Sequence, residues 1–214
     1  SIYALHLLEE ANILAVGHNY DGVHFIDIHG QKEKASLKFT EGAIFDMNSF
    51  QEKLFVGDGN GFLYTIGLNP LKVLNKTQLA EQSIRSIAIN QVTQEVAVGT
   101  SDNNIKILDI ADLSIKYTIE AHDNSVFTVC YSPDAQLLLS AGRDAHLKTW
   151  DVKAGYLLLD DVVAHMYAIN NIDFSPDGKH FVTCSMDKSI KVWDLERMKL
   201  LKVIDKARHA GHGT

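Results

Sequence analysis

Short apolar runs alternate with polar, turn-forming residues along the whole chain. Runs such as "AIFDM", "KLFVG" and "NIKILDI" are rich in the β-branched and aromatic residues that favour strands. Between them stand polar sequences such as "SPDG" and "SDNN", whose Pro, Gly, Asp and Asn residues favour tight turns. No amphipathic helical pattern of about ten residues interrupts this order. The pattern therefore predicts an all-β protein.

The apolar runs repeat with a steady period. Five copies align on the second residue of the first predicted strand, which we call the anchor position, and successive anchors are 40 to 43 residues apart. The anchors are Ile2, Ile44, Ile84, Val126 and Ile169. Each copy holds four predicted strands, and four strands in about 40 to 45 residues form one blade of a β-propeller. We therefore predict a single propeller domain over residues 1–214, with four-stranded antiparallel blades at about 1–42, 43–82, 83–124, 125–167 and 168–214.

The last two copies share a set of four residue types at constant spacing. A His comes first, a Ser or Thr follows on the second strand, an Asp lies in the next turn and a Trp on the third strand, within "HLKTWDV" and "SIKVWDL". The two sets are His122, Ser140, Asp144 and Trp150, and His165, Thr183, Asp187 and Trp193. With these residues the chain resembles the WD40-repeat β-propeller family, over nearly its whole length.

The resemblance implies that the two sets are structural hydrogen-bond networks. A buried Trp must place its indole N–H, a hydroxyl can accept it, and a His–Asp pair completes the network. A hydrolytic Ser–His–Asp triad is the alternative, but the resemblance explains both sets as structural, so we expect no catalytic residue. The third and second copies have Leu108 and Ile66 in place of Trp, which removes the N–H that needs a partner. The other aligned positions hold Ala80, Val98 and Asp102 in the third copy, and Val56 and Asn60 in the second.

The number of blades departs from the family pattern. WD40 rings usually close with seven blades, whereas this chain has five, and its Gly211–His212 dipeptide looks like the start of another blade. We therefore expect a part of a larger, seven-bladed ring, with a closed five-bladed ring as the alternative. An open ring would expose apolar flanks, so self-association is expected in that case.

Charge and composition restrict the partners. The chain has 20 basic and 27 acidic residues and a net charge of −7, which argues against nucleic acid as a partner. It lacks the run of about 18 apolar residues that spans a membrane, so no membrane partner is expected. Two cysteines are too few for a disulfide framework.

The histidines do not form a recognisable metal motif. His24 and His29 surround one predicted strand end, and His209 and His212 lie near the end of the sequence, but neither pair has a third ligand at suitable spacing. No Walker A or dinucleotide-binding motif is present either. We expect neither a metal nor a cofactor.

The resemblance also implies a binding surface, which we call the rim: the end of each sheet where the first strand begins and the turn between the second and third strands lies. The residues after the anchors, and those before the turn aspartates, are Tyr3, Phe45, Arg85, Phe127 and Asn170, and Ser101, Arg143 and Met186. Aromatic, Arg and Met residues are typical of interaction hot spots. We therefore expect protein or peptide partners, and the two arginines suit an acidic peptide.

Two functions remain open at this point. The preferred one is a noncatalytic protein-interaction scaffold, expected in the cytoplasm. The alternative is a propeller enzyme, or a protein that binds a small ligand or a metal, using the central channel of the ring. Asp46 and Asp173, on first strands that the resemblance places along that channel, are the acidic candidates for the alternative.

Overall fold

The fold is all-β, as the sequence predicts. A computed structural model of the chain describes residues 2–205. In these residues twenty strands form five four-stranded antiparallel sheets, and the helical structure is one short 3₁₀ helix, Glu9–Ala11. No helix in this part of the chain is long and apolar enough to cross a membrane. The predicted class of four-stranded propeller blades is thus confirmed.

Each sheet is a simple meander in which every strand pairs with the next one along the chain. The first sheet contains β1 (Ile2–Leu8), β2 (Ile13–His18), β3 (Gly22–Asp27) and β4 (Lys32–Leu37), and the second β5 (Ile44–Phe50), β6 (Lys53–Asp58), β7 (Phe62–Leu68) and β8 (Leu71–Gln78). The third contains β9 (Ile84–Asn90), β10 (Glu95–Thr100), β11 (Asn104–Asp109) and β12 (Ile115–Glu120). The fourth contains β13 (Val126–Tyr131), β14 (Leu137–Gly142), β15 (His146–Asp151) and β16 (Leu157–Val163). The fifth contains β17 (Ile169–Phe174), β18 (His180–Ser185), β19 (Ser189–Asp194) and β20 (Lys199–Asp205).

A β-bulge follows the anchor position in every sheet. In the second sheet the pairing of β5 with β6 passes from Ile44 to Asp46 and leaves Phe45 without an opposite residue. The same shift occurs in the other four sheets. The bulged residues are Tyr3, Phe45, Arg85, Phe127 and Asn170. Because a bulge bends the strand and re-aims a side chain, the first-strand residues predicted for the rim occupy one special backbone position.

The chain divides into two compact units. Unit 1 covers Ser1–Asp102 and Lys106–Thr118, and unit 2 covers Asn103–Ile105 and Ile119–Thr214. Unit 1 thus holds the first two sheets and most of the third, and unit 2 holds the fourth and fifth. That residues 1–214 form a single domain with the five blade boundaries given above stays a prediction.

Consecutive sheets of unit 1 pack through their first strands. Strand β5 packs against β1 and β2, and β9 packs against β5 and β6. Ile44 and Ile84, the anchors of β5 and β9, are fully buried. A Cβ atom added to Gly17 would lie 2.6 Å from Ile44 Cγ2, and one added to Gly57 would lie 2.3 Å from Ile84 Cγ2. The glycine of the second strand therefore allows the next sheet to approach closely.

Unit 2 has its own core between the fourth and fifth sheets. Strand β17 packs against β13 and β14, and its anchor Ile169 is fully buried beside Leu139 and Phe181. The rings of Phe181 and Trp193 stack with centroids 6.1 Å apart and an interplanar angle of 6°. This packing holds the strands that carry both four-residue networks.

Candidate functional site

The first predicted network lies in the fourth sheet of unit 2. Trp150 Nε1 donates a hydrogen bond of 2.9 Å to Ser140 Oγ, and His122 Nε2 lies 2.8 Å from the same oxygen. His122 Nδ1 lies 2.9 Å from Asp144 Oδ2. Ser140, Trp150 and His122 are buried. The four residues therefore form one continuous hydrogen-bonded chain that joins the loop before β13 to β14, β15 and the turn between them.

The second network repeats this geometry in the fifth sheet. Trp193 Nε1 donates to Thr183 Oγ1 over 3.0 Å, His165 Nε2 lies 2.7 Å from that oxygen, and His165 Nδ1 lies 2.8 Å from Asp187 Oδ2. Burial lowers the pKa of His165, which favours the neutral ring. Burial raises the pKa of Asp187, but hydrogen bonds from Ser189 and His165 outweigh it and hold that pKa well below its usual range. Asp187 is thus the anionic end of the network.

The order of donors and acceptors assigns a role to each group. The hydroxyl of Ser140 or Thr183 accepts from the indole N–H, so its single hydrogen is free to be donated to His Nε2. The ring hydrogen then lies on Nδ1 and is donated to the aspartate. Both hydroxyl side chains belong to residues with 0% exposure. A substrate therefore cannot reach either oxygen, which distinguishes these networks from a hydrolytic triad with the same residue types.

A third polar network in unit 1 was missed by the sequence analysis. The carboxylate of Asp58 has 0% exposure and accepts hydrogen bonds from the hydroxyls of Thr40, over 2.7 Å, and Tyr64, over 3.2 Å. It also accepts from the backbone N–H groups of Asn60 and Phe62, over 3.0 and 2.9 Å. The spacing of the repeats predicts Asn60, two residues later, at the turn position. Asp58 instead ties the turn, β7 and the loop before β5 together.

The rim residues of unit 1 form a stack. The rings of Tyr3 and Phe45 have centroids 5.4 Å apart, and Arg85 Cζ lies 4.2 Å from the centroid of the Phe45 ring. Tyr3 is 57% exposed, whereas Phe45 and Arg85 are half-buried. Ser101, also half-buried, donates its backbone N–H to Ser83 O over 2.8 Å. The bulged residues of three consecutive sheets thus present a guanidinium beside two aromatic rings.

The rim residues of unit 2 are more exposed. Arg143, Asn170 and Met186 are exposed, and Phe127 is half-buried. Arg143 lies in the turn after β14, where its backbone N–H donates to Ser125 O over 2.9 Å. This turn is therefore fixed by its backbone while the Arg143 side chain faces solvent.

Two further residues of this surface were missed. Met166 is 84% exposed and Tyr167 is 62% exposed, in the loop before β17, and Met186 is 63% exposed in the turn after β18. The two segments are joined because Met186 N donates to Ala168 O over 2.9 Å and Ser185 Oγ donates to Tyr167 O over 3.0 Å. The available signal was the large apolar pair directly after His165, where the fourth copy has two polar residues.

Asp46 and Asp173, the acidic candidates for a function in the central channel, both accept hydrogen bonds from backbone N–H groups. Asp46 accepts from Ile87 N over 2.7 Å and from Met47 N over 2.9 Å, and Asp173 accepts from Phe174 N over 2.9 Å. Burial raises the pKa of Asp46 to about 6. Asp46 therefore links β5 to the neighbouring strand β9 within unit 1.

Asp46 should make stability depend on pH. Its pKa in the folded protein is about 6, above the ordinary 3.8, so between these values the folded chain keeps a proton that the unfolded chain has released. The free energy of unfolding therefore falls as the pH rises from about 4 to about 6. Above about pH 6 the folded protein carries the full cost of a buried, ionised Asp46. An Asp46→Asn variant does not ionise, so its unfolding free energy relative to wild type should increase by about 2 to 3 kcal/mol between about pH 4 and about pH 8.

Urea denaturation of both proteins at the two pH values measures this difference. Any constant effect of the amide on the hydrogen bonds to Ile87 and Met47 cancels, because only the change with pH is compared. An equal difference between variant and wild type at both pH values would contradict the raised pKa.

The described histidine and cysteine side chains show no cluster suited to a metal. Among residues 2–205 no group of three or more His, Cys, Asp or Glu side chains lies close enough to hold an ion. His24 Nδ1 is instead 3.0 Å from Glu33 Oε1, and both cysteines are free thiols. His209, His212 and the Gly211–His212 dipeptide lie outside the described residues.

The family model described as "WD domain, G-beta repeat" matches residues 113–151 and 158–194. The chain is 28% identical over 114 residues to an uncharacterized WD repeat-containing protein of Schizosaccharomyces pombe, a match covering 53% of this chain and 28% of the relative. It is 44% identical over 52 residues to a WD repeat-containing protein WDS homolog of Arabidopsis thaliana, covering 24% of this chain and 10% of the relative. A third match is 25% identical over 159 residues to the THO complex subunit 6 homolog of Danio rerio, covering 64% and 49%.

A solved structure shares the fold. A chain in a structure titled "Crystal Structure of Mitotic Checkpoint Complex" superimposes with a TM-score of 0.84 and 18% sequence identity, over 94% of this chain and 63% of that chain. The chain thus spans half or less of the three curated relatives described above.

Proposed function

Because this chain belongs to the WD40-repeat family, we propose that it is a noncatalytic scaffold that binds other proteins or peptides at its rim. The relative from Danio rerio is named as a subunit of a complex, and the structural neighbour comes from a complex. These names support the proposal that this chain also acts as part of a protein assembly. The predicted absence of nucleic-acid and membrane partners, the self-association and the cytoplasmic location stay predictions.

The exposed apolar side chains on the rim of unit 2 are the observation that carries this proposal. Met166, Tyr167 and Met186 are all more than 60% exposed, on two loops joined by hydrogen bonds. Large apolar side chains at such exposure, on a fixed backbone, are typical of an interaction surface. Methionine adapts its shape to a partner, and a fixed backbone lowers the entropy lost on binding.

The rim of unit 1 supports a partner that carries carboxylates. Arg85 lies over the ring of Phe45, beside the exposed ring of Tyr3. The planar guanidinium group matches the geometry of a carboxylate, and arginine also stacks on aromatic rings. We therefore propose an acidic peptide segment as the partner of this surface.

A catalytic function has less support from the described residues. The hydroxyls of Ser140 and Thr183 are buried and committed to indole and imidazole partners. Asp46 and Asp173 both accept hydrogen bonds from backbone N–H groups. Each candidate acid or nucleophile therefore has a structural role that accounts for its position.

Replacement of both rim arginines tests the binding proposal. The Arg85→Ala/Arg143→Ala variant should lose about tenfold in the amount of partner captured from native extract, because interface arginines contribute on the order of 1–2 kcal/mol. Quantitative affinity capture with mass spectrometry measures this loss. Thermal unfolding should change little, since Arg143 is exposed and the contact of Arg85 with Phe45 contributes only about 0.5–1 kcal/mol.

Arg197→Ala is the matched control for this experiment. Arg197 is exposed in the turn between β19 and β20, at the end of the fifth sheet opposite its rim. The control should capture the same proteins in the same amounts as wild type. Equal capture by the double variant and by this control would refute the rim as the binding surface.

A further inference from the structure

A cavity of about 730 Å³ lies in unit 1 at the end of the first two sheets opposite the rim. It opens between the ends of β1 and β5, next to the 3₁₀ helix Glu9–Ala11 and the turn after β5. All of its lining residues belong to the first two sheets and the turn after β9. Its volume is within the range of about 300–1,000 Å³ that is typical of ligand-binding cavities.

The lining of this cavity is apolar inside and acidic at the mouth. Phe25, Ile13 and Leu71 are buried or half-buried and form part of the apolar wall. The exposed lining contains three carboxylates, from Glu9, Glu10 and Glu52, and one ammonium, from Lys34. None of these four is in a side-chain ion pair with another residue of the described chain closer than 4.0 Å, so the local excess of negative charge is available to a ligand.

One polar pair lies in the wall between the two sheets. His6 Nε2 of β1 is 2.8 Å from Ser49 Oγ of β5, and both residues line the cavity. Burial lowers the pKa of His6, so the ring is neutral and does not offset the charge of the glutamates. A few convergent polar groups in an otherwise apolar cavity are the usual arrangement of a binding site.

Three primary amides also lie at the mouth. Gln51, Asn69 and Gln91 are exposed lining residues. A primary amide offers both a donor and an acceptor, which match the C=O and N–H groups of a peptide bond. The amides favour a peptide over a ligand without such groups, and the glutamates favour basic side chains on it.

We propose that this cavity binds a segment of a partner protein in which an apolar side chain lies between Lys or Arg residues. The apolar side chain enters between β1 and β5, the flanking cations pair with Glu9, Glu10 and Glu52, and the amides bond to the peptide backbone. This site is separate from the rim, and its ligand has the opposite charge to the one proposed there.

A labelled synthetic peptide in which Arg and Leu alternate tests the proposal against the full chain. Fluorescence anisotropy should show saturable binding, and the same peptide with Glu in place of Arg should not bind. In NMR spectra the signals of His6 and Ser49 should shift on addition of the Arg/Leu peptide. Binding of both peptides alike, no binding of the Arg/Leu peptide, or no shift at His6 and Ser49 would overturn the proposal.

Two variants on exposed positions test the two halves of the site. Glu9→Lys/Glu10→Lys should weaken binding of the Arg/Leu peptide about tenfold, because attraction becomes repulsion. Ala11→Trp should weaken it to a similar extent by filling the mouth, and since Ala11 is exposed the fold should be kept, as checked by circular dichroism. Glu41→Lys/Glu81→Lys is the charge-matched control, because both residues are exposed and lie outside the cavity. Loss of binding in this control, or none in both test variants, would overturn the site.

Discussion

Replacing Asp58 with alanine is expected to lower the free energy of unfolding by about 3 kcal/mol. The change leaves the Thr40 and Tyr64 hydroxyls and the N–H groups of Asn60 and Phe62 without their buried acceptor. Each buried donor without a partner costs about 1–3 kcal/mol. Part of this loss in unfolding free energy is offset, because removal of the buried carboxylate also removes the cost of its desolvation. The net loss is therefore below the sum of four such costs.

Asp21→Ala is the control for the Asp58 substitution. Asp21 lies in the turn after β2 of the first sheet and is exposed, with His18 and Lys38 nitrogens each 3.6 Å from its carboxylate. Exposed ion pairs contribute little, so this variant should stay within about 0.5 kcal/mol of wild type. Urea denaturation followed by circular dichroism measures both. A loss below about 0.5 kcal/mol for Asp58→Ala would show that the buried carboxylate does not stabilise the fold.

The strand order and the network positions could be predicted because they repeat. Four of the five anchors, Ile44, Ile84, Val126 and Ile169, are fully buried, as the period of the apolar runs implies, whereas Ile2 is 54% exposed. The constant spacing also predicts which residues form the two Trp networks. Because the fourth and fifth sheets have the same strand order, residues at the same spacing make the same hydrogen bonds. A periodic apolar pattern is a local property of the sequence, and local properties are visible without coordinates.

The features that could not be predicted depend on register or on partners that do not repeat. The bulge at Phe45 requires knowledge of which β6 residue lies opposite, which the sequence does not contain. Asp58 accepts hydrogen bonds from Thr40 and Tyr64, which do not belong to the repeated His, Ser or Thr, Asp and Trp positions. Met166 lies in a loop whose length equals that of the fourth copy, so the spacing does not indicate its exposure, and the sequence signal is only the apolar type of Met166 and Tyr167. The structure adds these features because each depends on contacts between strands or loops.

Replacing Thr183 with valine is expected to cost about 2–4 kcal/mol of unfolding free energy. Valine keeps the shape of threonine, so little packing is lost in the core of unit 2. The change removes the acceptor of the Trp193 N–H, 3.0 Å away, and the donor to His165 Nε2, 2.7 Å away. Two buried polar groups are thereby left without partners, at about 1–3 kcal/mol each. Urea denaturation monitored by Trp fluorescence and circular dichroism measures the loss.

A double-mutant cycle with Trp193→Phe separates the network from packing. In the Phe background the indole N–H is absent, so Thr183→Val should cost about 1 kcal/mol less than in wild type. The third sheet has an apolar pair in place of this hydrogen bond. Val98 and Leu108, at the positions of Thr183 and Trp193, are both fully buried and need no polar partner. An equal cost of Thr183→Val in both backgrounds would mean that the indole N–H is not stabilised by this hydroxyl. The cost of the polar network would then have to lie with His165 and Asp187, and a cycle between those two residues would have to show the missing coupling.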